Sequence, residues 1–590
     1  MTIPASHERT SPPKTSALAL DQLRHAPAVL VFAVVYLLLT WPLAKQMDSA
    51  ILGSVVGDGW KVVEQFWWYK HALVEKGVSP LFDPNIFYPE GWYTLTSSHS
   101  PALMLTTIPF TLLFGPIGAY NLLMLLSFVW AGLGTYAVVN RLTEDRLAGV
   151  LSGVAYAFCM SRLLRAGGHF NVSVGSAWIP WIFFCLESAR RSRSRRQQLS
   201  WLAAAGASYA GAMIGYWYFV YLVAIPLAAY FLFDLWQARQ DRVRLQAALR
   251  AAAITFGVAA VPVIPLGLLT LQARAVASVS PFSFESTANL AASLDRFLVP
   301  GRYHPLWGAW LAARFPDFGE QSFVFLGFTV TFLAFLAVLK RVQPRTNAYV
   351  ILALTSLVMA LGPELYWNGA PVAVPLPGSE GSAGIPLPGL FFFRFAPMFN
   401  VIRVWARFAL ITPLAVAVLA GLMVAYLRHQ SRWRQSVPLL LLALVVLESW
   451  GQPFTVVPAT AMNRAVDQWL AAQPEQTAIM ELPLDDRLNG SLMYSRTLHG
   501  KQLATGYTAA IPGFFLAAVP EFAIFPNQET IQILQQWNVR YLLYTVQNLT
   551  VFEAEVAPAI NQLDNLAYVA TFGGYPGQHV YVYLIEENNP

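Results

Sequence analysis

Residues 57–100 read GDGWKVVEQFWWYKHALVEKGVSPLFDPNIFYPEGWYTLTSSHS, a polar, aromatic stretch set between apolar runs. Ala26 to Leu43 lies upstream, and 117–139 lies downstream beyond the short apolar segment Pro101 to Phe114. A helix needs about 20 apolar residues to cross a bilayer, so this is the pattern of a first span, a loop and a return span. The first run is too long for a signal-peptide core and reads as an uncleaved span.

The rest of the chain repeats the apolar pattern. Spans are expected near 26–43, 117–139, 146–162, 171–188, 199–215, 216–233, 250–272, 322–339, 347–363, 405–427 and 436–450, about eleven transmembrane helices. Composition agrees, with 56% hydrophobic and only 12% charged residues against about a quarter charged in soluble proteins. The net charge of +6 is carried in short clusters between apolar runs, not in a stripe interleaved with aromatics, which excludes nucleic acid as a partner. Cys159 and Cys185 fall inside apolar stretches and read as small buried side chains.

Basic residues are retained on the cytoplasmic side, so they orient the chain. Clusters at Arg9, Lys14 and Arg24, at Arg141 and Arg146, at Arg190 to Arg196, at Arg239 to Arg250, at Lys340 to Arg345 and at Arg428 to Arg434 each follow an even number of crossings. That holds only if Pro101 to Phe114, which contains Pro109, is an interfacial or re-entrant helix. The expected protein is a multi-pass plasma-membrane (inner-membrane) protein with a cytoplasmic N-terminus. Its transmembrane domain covers 1–451, with a first external loop at 44–116, and its extracytoplasmic C-terminal domain covers 452–590. In the tail, strand-like runs (Ala478 to Leu482, Tyr541 to Val546, His579 to Ile585) alternate with helical ones (Asn463 to Ala472, Gln528 to Trp537), which predicts a mixed α/β domain. Pro371 to Gly389 reads as an irregular external loop.

The first loop holds the richest chemistry. Asp58, between Gly57 and Gly59, is a sterically open carboxylate near the bilayer surface, suited to act as general base or to bind a cation. The same residue could cap a helix starting near Trp60. Glu64, Trp67 and Trp68 are possible substrate contacts, although the aromatic cluster also suits an interfacial belt. Arg394, Arg403 and Arg407, in RFAPMFNVIRVWAR, stand at the entrance to the tenth span, with Arg403 and Arg407 expected at i and i+4 on one helix face, where basic side chains snorkel to the interface. Glu285, Asp295, Arg296, His304, Asp317 and Glu320 populate a later external loop and are either further contacts or solvated loop residues. Asp485, Asp486, His499 and Lys501 in the tail match no metal or triad spacing.

GDGWKVVEQFWWYKHAL, FYPEG, YNLLMLLSFVWAGLGTYAVVNRLT and GGHFNVSVGSAWIPW, with SRTLHGKQLATGY in the tail, resemble the GT-C class of membrane glycosyltransferases, closest to bacterial members related to the YfhO-type proteins. The resemblance implies transfer of a sugar from a polyprenyl-phosphate donor to a lipid, glycan or protein acceptor at the external face. It implies Asp58 as the catalytic residue of the first external loop and a donor phosphate that Arg403 and Arg407, with Arg394, could hold; His169 could bond that phosphate or assist proton transfer, or bond a loop carbonyl as a structural histidine. A second acidic residue common in the next external loop is absent; Arg162, Arg165 and His169 stand there. No metal ligands are assigned, and Mg or Mn remains only a candidate cofactor. The alternatives are a non-catalytic envelope assembly protein or a lipid-linked-sugar transporter on the same scaffold. Nearly charge-free spans speak against an ion-coupled carrier.

Overall fold

The computed structural model describes residues 25–586 apart from 98, 280–281, 316–323, 376–381, 397–398, 400–401, 431–435, 452–454 and 509. Asp317 and Glu320 therefore lie outside the described residues, as do the N-terminal basic residues. The chain is mostly helical, 65%. In order come α1 (Ala26–Leu39), α2 (Asp58–Lys70), α3 (Pro101–Thr143), α4 (Arg146–Ala157), α5 (Phe170–Ala177), α6 (Ile179–Arg190), α7 (Arg195–Gly215), α8 (Phe219–Ala238) and α9 (Arg242–Val276). After the 277–327 region follow α10 (Phe328–Lys340), α11 (Thr346–Ala360), α12 (Thr412–Gln430) and α13 (Ser436–Glu448).

Every segment expected to span is helical, but the count of eleven does not follow from helix length. Among the described residues five helices are long and apolar enough to cross a membrane, or six if the pair Arg146–Ala157 and Met160–Gly167, bent by 51°, is one span. At 1.5 Å per residue the 14 residues of α1 cover about 21 Å, short of a hydrocarbon core of about 30 Å. The segment from Pro101 to Phe114 is helical but is parted from the rest of α3 at Gly115, whose φ of 68° breaks the helix. Leu112, Leu113 and Phe114 are exposed there.

The arginine-bearing helix ends meet one another. Arg345 pairs with Asp234 (2.7 Å) and Glu187 (3.1 Å), Arg190 joins the same two carboxylates, and Arg428 pairs with Asp145. Arg191 and Gln343 both donate to the carbonyl of Leu142. The ends of α3, α6, α8 and α12 and the start of α11 are thus gathered at one pole of the bundle.

The first loop and the tail gather at another. Strand β1 (Ala50–Leu52) pairs antiparallel with β2 (Val456–Pro458). The tail continues as α14 (Ala465–Ala471), β3 (Ala478–Leu482), α15 (Asp486–His499), β4 (Gln502–Leu503), α16 (Gln528–Gln536), β5 (Tyr541–Val546), β6 (Leu566–Gly573) and β7 (His579–Ile585). Its sheet has the order β4-β3-β5-β7-β6, parallel across the first three strands and antiparallel beyond. The strands expected at Ala478, Tyr541 and His579 are β3, β5 and β7. Around Pro371 to Gly389 the described residues form a short hairpin, Ala373–Pro375 with Ser382–Gly384, where an irregular loop was expected.

The loop also completes the tail's core. Ile86, Phe87 and Trp92 are buried among tail residues such as Met480, Leu503 and Phe515. Residues 85–88 run along the β4 edge: Leu503 donates to the Asn85 carbonyl at 2.8 Å and Tyr88 to the Leu503 carbonyl at 3.0 Å. An exposed sheet edge is thereby covered by a segment about 400 residues earlier in the chain.

Candidate active site

Gly57, at φ 134°, turns the chain into α2 and serves as its N-cap. Asp58 is then the first helical residue and makes no capping hydrogen bond, so the capping role open to it in the sequence falls to the glycine. A carboxylate in the first turn is favoured by the helix dipole and, here, left available to a ligand. Its side chain keeps 33% of its surface exposed.

Four side chains surround it. His169, the residue before α5, places Nε2 3.7 Å from Asp58 Oδ2. The two loops touch at glycines: Gly168 takes φ 156°, a conformation side chains rarely adopt, and a Cβ on Gly53 would lie 2.6 Å from the Gly167 carbonyl oxygen. Lys61, one helical turn beyond Asp58, is buried with its ammonium 5.0 Å from the centroid of the Tyr507 ring. The Tyr507 hydroxyl hydrogen-bonds the Asp58 carboxylate. His99, buried beside Ser97, is close enough to feel Asp58, Lys61 and His169.

Burial opposes ionisation of Asp58, but His169, Lys61 and the Tyr507 hydrogen bond outweigh it and hold the carboxyl below its ordinary range. Burial depresses the Lys61 ammonium, partly offset by Asp58 and Glu64. Burial, with the Lys61 charge, pushes His99 down to about 3, so it is neutral at physiological pH. The arrangement is an ionised carboxylate held by a cation, a hydroxyl and two imidazoles at an open helix start.

A second layer clamps this helix to the tail. Arg496 of α15 donates to Asp83 Oδ1 at 2.9 Å and ion-pairs with Glu64, all three fully buried, while its guanidinium lies 5.3 and 5.2 Å from the rings of Trp67 and Trp68. Glu64, Trp67 and Trp68 thus enclose Arg496. Burial, opposed by Arg496 but reinforced by the neighbouring Asp83, pushes Glu64 up to about 7.

Arg407 donates to the Tyr216 hydroxyl and lies 5.2 Å from that ring, the Arg403 backbone nitrogen faces the Tyr218 hydroxyl at 3.4 Å, and Arg274 at the end of α9 also approaches Tyr218. The expected helical i, i+4 face is not formed. Arg403 lies outside any helix or strand and Arg407 in a 3-10 turn, Trp405–Leu410; the Arg407 guanidinium reaches Tyr216, whereas that of Arg403 lies 5.9 Å from the centroid of the Phe282 ring. Gly215, next to Tyr216, packs against Gly175 of α5, where a Cβ would come within 2.4 Å of the Gly175 Cα. Gly175 is six residues from His169, about 9 Å along a helix. Arg394 is exposed at the end of the helix Pro388–Phe395.

The later loop residues divide. Glu285 is exposed, but Asp295 and Arg296 are buried, pair with each other at 3.2 Å and tie down Asn368. His304 is buried, stacks on Trp307 and bonds the Leu447 carbonyl at 2.8 Å. These three have structural partners and are not solvated loop groups. In the tail, His499 accepts from the Lys501 nitrogen and the Lys501 ammonium donates to the Gln473 carbonyl, both structural contacts.

Lys61, His99, Tyr507 and Arg274 were not singled out from sequence. Tyr507 and Arg496 both lie within SRTLHGKQLATGY, so the tail motif that carried the resemblance held the signal. The residues do not fit a divalent cation at Asp58. Among the described residues no group of three or more metal-type ligands occurs, Glu64 and Asp83 are engaged by Arg496, and the Lys61 ammonium already supplies positive charge beside the single carboxylate.

No protein-family model matches the chain, and no curated protein matches it. Among solved structures, the arabinofuranosyltransferase AftD from Mycobacteria is similar with a TM-score of 0.58 at 14% identity, over 95% of this chain and 40% of that one. The chain thus spans less than half of AftD. An oligosaccharyltransferase from Archaeoglobus fulgidus (0.48, 13% identity, 92% of this chain and 72% of that) and ArnT from Cupriavidus metallidurans (0.49, 13% identity, 96% and 98%) align more loosely. The likeness to AftD shows a shared fold, and among the described residues five helices, or six with the bent pair, are long and apolar enough to cross a membrane.

Proposed function

We propose that the protein is a membrane glycosyltransferase that moves a sugar from a polyprenyl-phosphate-linked donor to an envelope acceptor on the external face. The observation that carries this reading is the ionised, solvent-reachable Asp58 at the start of α2, set between His169 and the tail's Tyr507. The acceptor hydroxyl approaches Asp58, which accepts its hydrogen bond and then its proton as the oxygen attacks the sugar's anomeric carbon from the side opposite the phosphate. The bond from that carbon to the phosphate oxygen breaks, its electron pair leaves with the polyprenyl phosphate, and the anomeric configuration inverts. Arg403, Arg407 and Arg274 are the cations available to hold the departing phosphate, and His169 keeps the carboxylate oriented. The basic helix ends face the cytoplasm in this reading, which puts Asp58 and the tail outside.

The test is purified protein given polyprenyl-phosphate sugar. Wild type binds and consumes the donor, whereas Asp58→Asn, correctly inserted, binds it with little or no transfer. Full activity in that variant overturns the assignment, and failure of wild type to bind the donor favours a non-catalytic assembly role.

A further inference from the structure

The tail carries a cleft that the proposed chemistry leaves unused. In the parallel part of its sheet, β3 lies between β4 and β5, so the chain leaves β3 toward one side and returns on the other. In α/β sheets the crevice at the carboxyl ends of two strands flanking such a reversal is where ligands bind. A cleft of about 370 Å³ opens at that point, lined by Glu481, Asp485, Asn489, Tyr544, Gln547 and Phe552 among others. Its size falls within the range of small-ligand sites, roughly 300–1,000 Å³.

The lining selects a ligand class. Among the described residues no lysine or arginine lines the cleft, the turn after β3 is Pro483-Leu484-Asp485 with no glycine, and the nearby carboxylate repels anions, which rules against phosphate. Glu481 is already held by Arg464 at 2.7 and 2.9 Å and by Thr545 at 2.6 Å, so it forms a fixed floor. Tyr544 and Phe552, stacked with centroids 5.6 Å apart, present an apolar wall. An aromatic wall facing side-chain amides and a carboxylate suits a sugar, whose C–H faces pack on rings while its hydroxyls both donate and accept.

The cleft adjoins the first loop. Asn489 lines it, and the next two residues of α15 touch the turn that presents Asp58. A Cβ on Gly490 would lie 2.7 Å from the Gly57 carbonyl oxygen, and the Ser491 hydroxyl donates to the Val55 carbonyl. We propose that this cleft is a binding subsite for a neutral glycan, and that it holds the acceptor beside Asp58. The second half rests on the transfer reading; the binding itself does not.

The experiment measures binding of methyl glycosides of glucose, galactose, mannose, rhamnose and N-acetylglucosamine to the detergent-solubilised full chain, by saturation-transfer NMR and calorimetry. At least one binds wild type. Gln547→Ala, at an exposed position, and Asp485→Ala each weaken it about tenfold, the effect of losing one or two hydrogen bonds. Leu488→Trp fills the cleft and abolishes binding, and Asp58→Asn leaves it intact. Retained glycoside binding with full transfer by Asp58→Asn would remove Asp58 as the base, and glycoside binding by a wild type that neither binds nor consumes the donor would remove the transfer reading; either result leaves the subsite standing. No glycoside bound by wild type, binding indifferent to the cleft variants, or displacement by inorganic phosphate would overturn the proposal.

Discussion

Arg496 Nη1 lies 2.9 Å from Asp83 Oδ1, joining α15 in the tail to a first-loop residue 413 positions earlier. With Glu64 on the same guanidinium, two buried carboxylates depend on one cation. Arg496→Met is therefore expected to destabilise the protein by roughly 3–5 kcal/mol, the cost of stranding buried charge. Thermal unfolding in detergent measures the loss, and limited proteolysis should show the tail cleaved faster than in wild type.

Glu64 gives this clamp a pH dependence. Its folded-state carboxyl is raised from 4.5 to about 7, so between those values the folded protein holds a proton that the unfolded chain has released. Stability then falls as pH rises through that window, by up to about 1.4 kcal/mol per pH unit. A melting-temperature series from pH 4.5 to 7 should slope downward more steeply in wild type than in Glu64→Gln.

Lys61 lowers the Asp58 carboxyl. Replacing it with methionine removes that charge while keeping the packed stem, so Asp58 titrates higher. The acid limb of the transfer rate against pH is expected to move to higher pH in Lys61→Met. An unmoved limb would show that Lys61 does not act on the reacting carboxylate.

Tyr507→Phe keeps the ring against Lys61 and removes only the hydroxyl that bonds Asp58. A turnover loss of about tenfold with an unchanged donor KM is expected, the scale of one hydrogen bond to a charged group. Equal turnover in the two proteins would show that the Tyr507 hydroxyl plays no part in the reaction.

Arg407, which donates to the Tyr216 hydroxyl, is a proposed donor-phosphate ligand. Arg407→Lys keeps the charge but loses the planar fork, so donor KM should rise by roughly 10-fold. Steady-state kinetics with varied donor reads it directly.

The helices were legible because a long apolar run leaves little freedom: each expected span became helix, and β3, β5 and β7 lie where alternation put them. Span count was less legible, since whether α1 or α13 crosses alone depends on length and neighbours more than hydropathy. Asp58 and His169 lie 3.7 Å apart, while Arg407 bonds Tyr216 and the Arg403 backbone bonds Tyr218 from non-helical chain. Lys61 was not singled out because nothing local in the sequence marks its burial. Tyr507 and Arg496 were hidden by distance, because hydropathy and periodicity report on neighbours in sequence and these residues meet partners some 400 positions away. Asp295, Arg296 and His304 resembled solvated loop residues for the same reason: their partners, Asn368 and Leu447, come from other segments.

The pairing of β1 with β2 and the capture of Asn85 to Tyr88 by β4 set an order of assembly. Asp58 emerges 449 residues before Tyr507, so a nascent chain carries half a site throughout that stretch of synthesis. Insertion of all intervening helices and delivery of the tail to the same side must precede any turnover. Misinserted chains are therefore inert in this reading, and catalytic competence doubles as proof that the last segment has reached its destination.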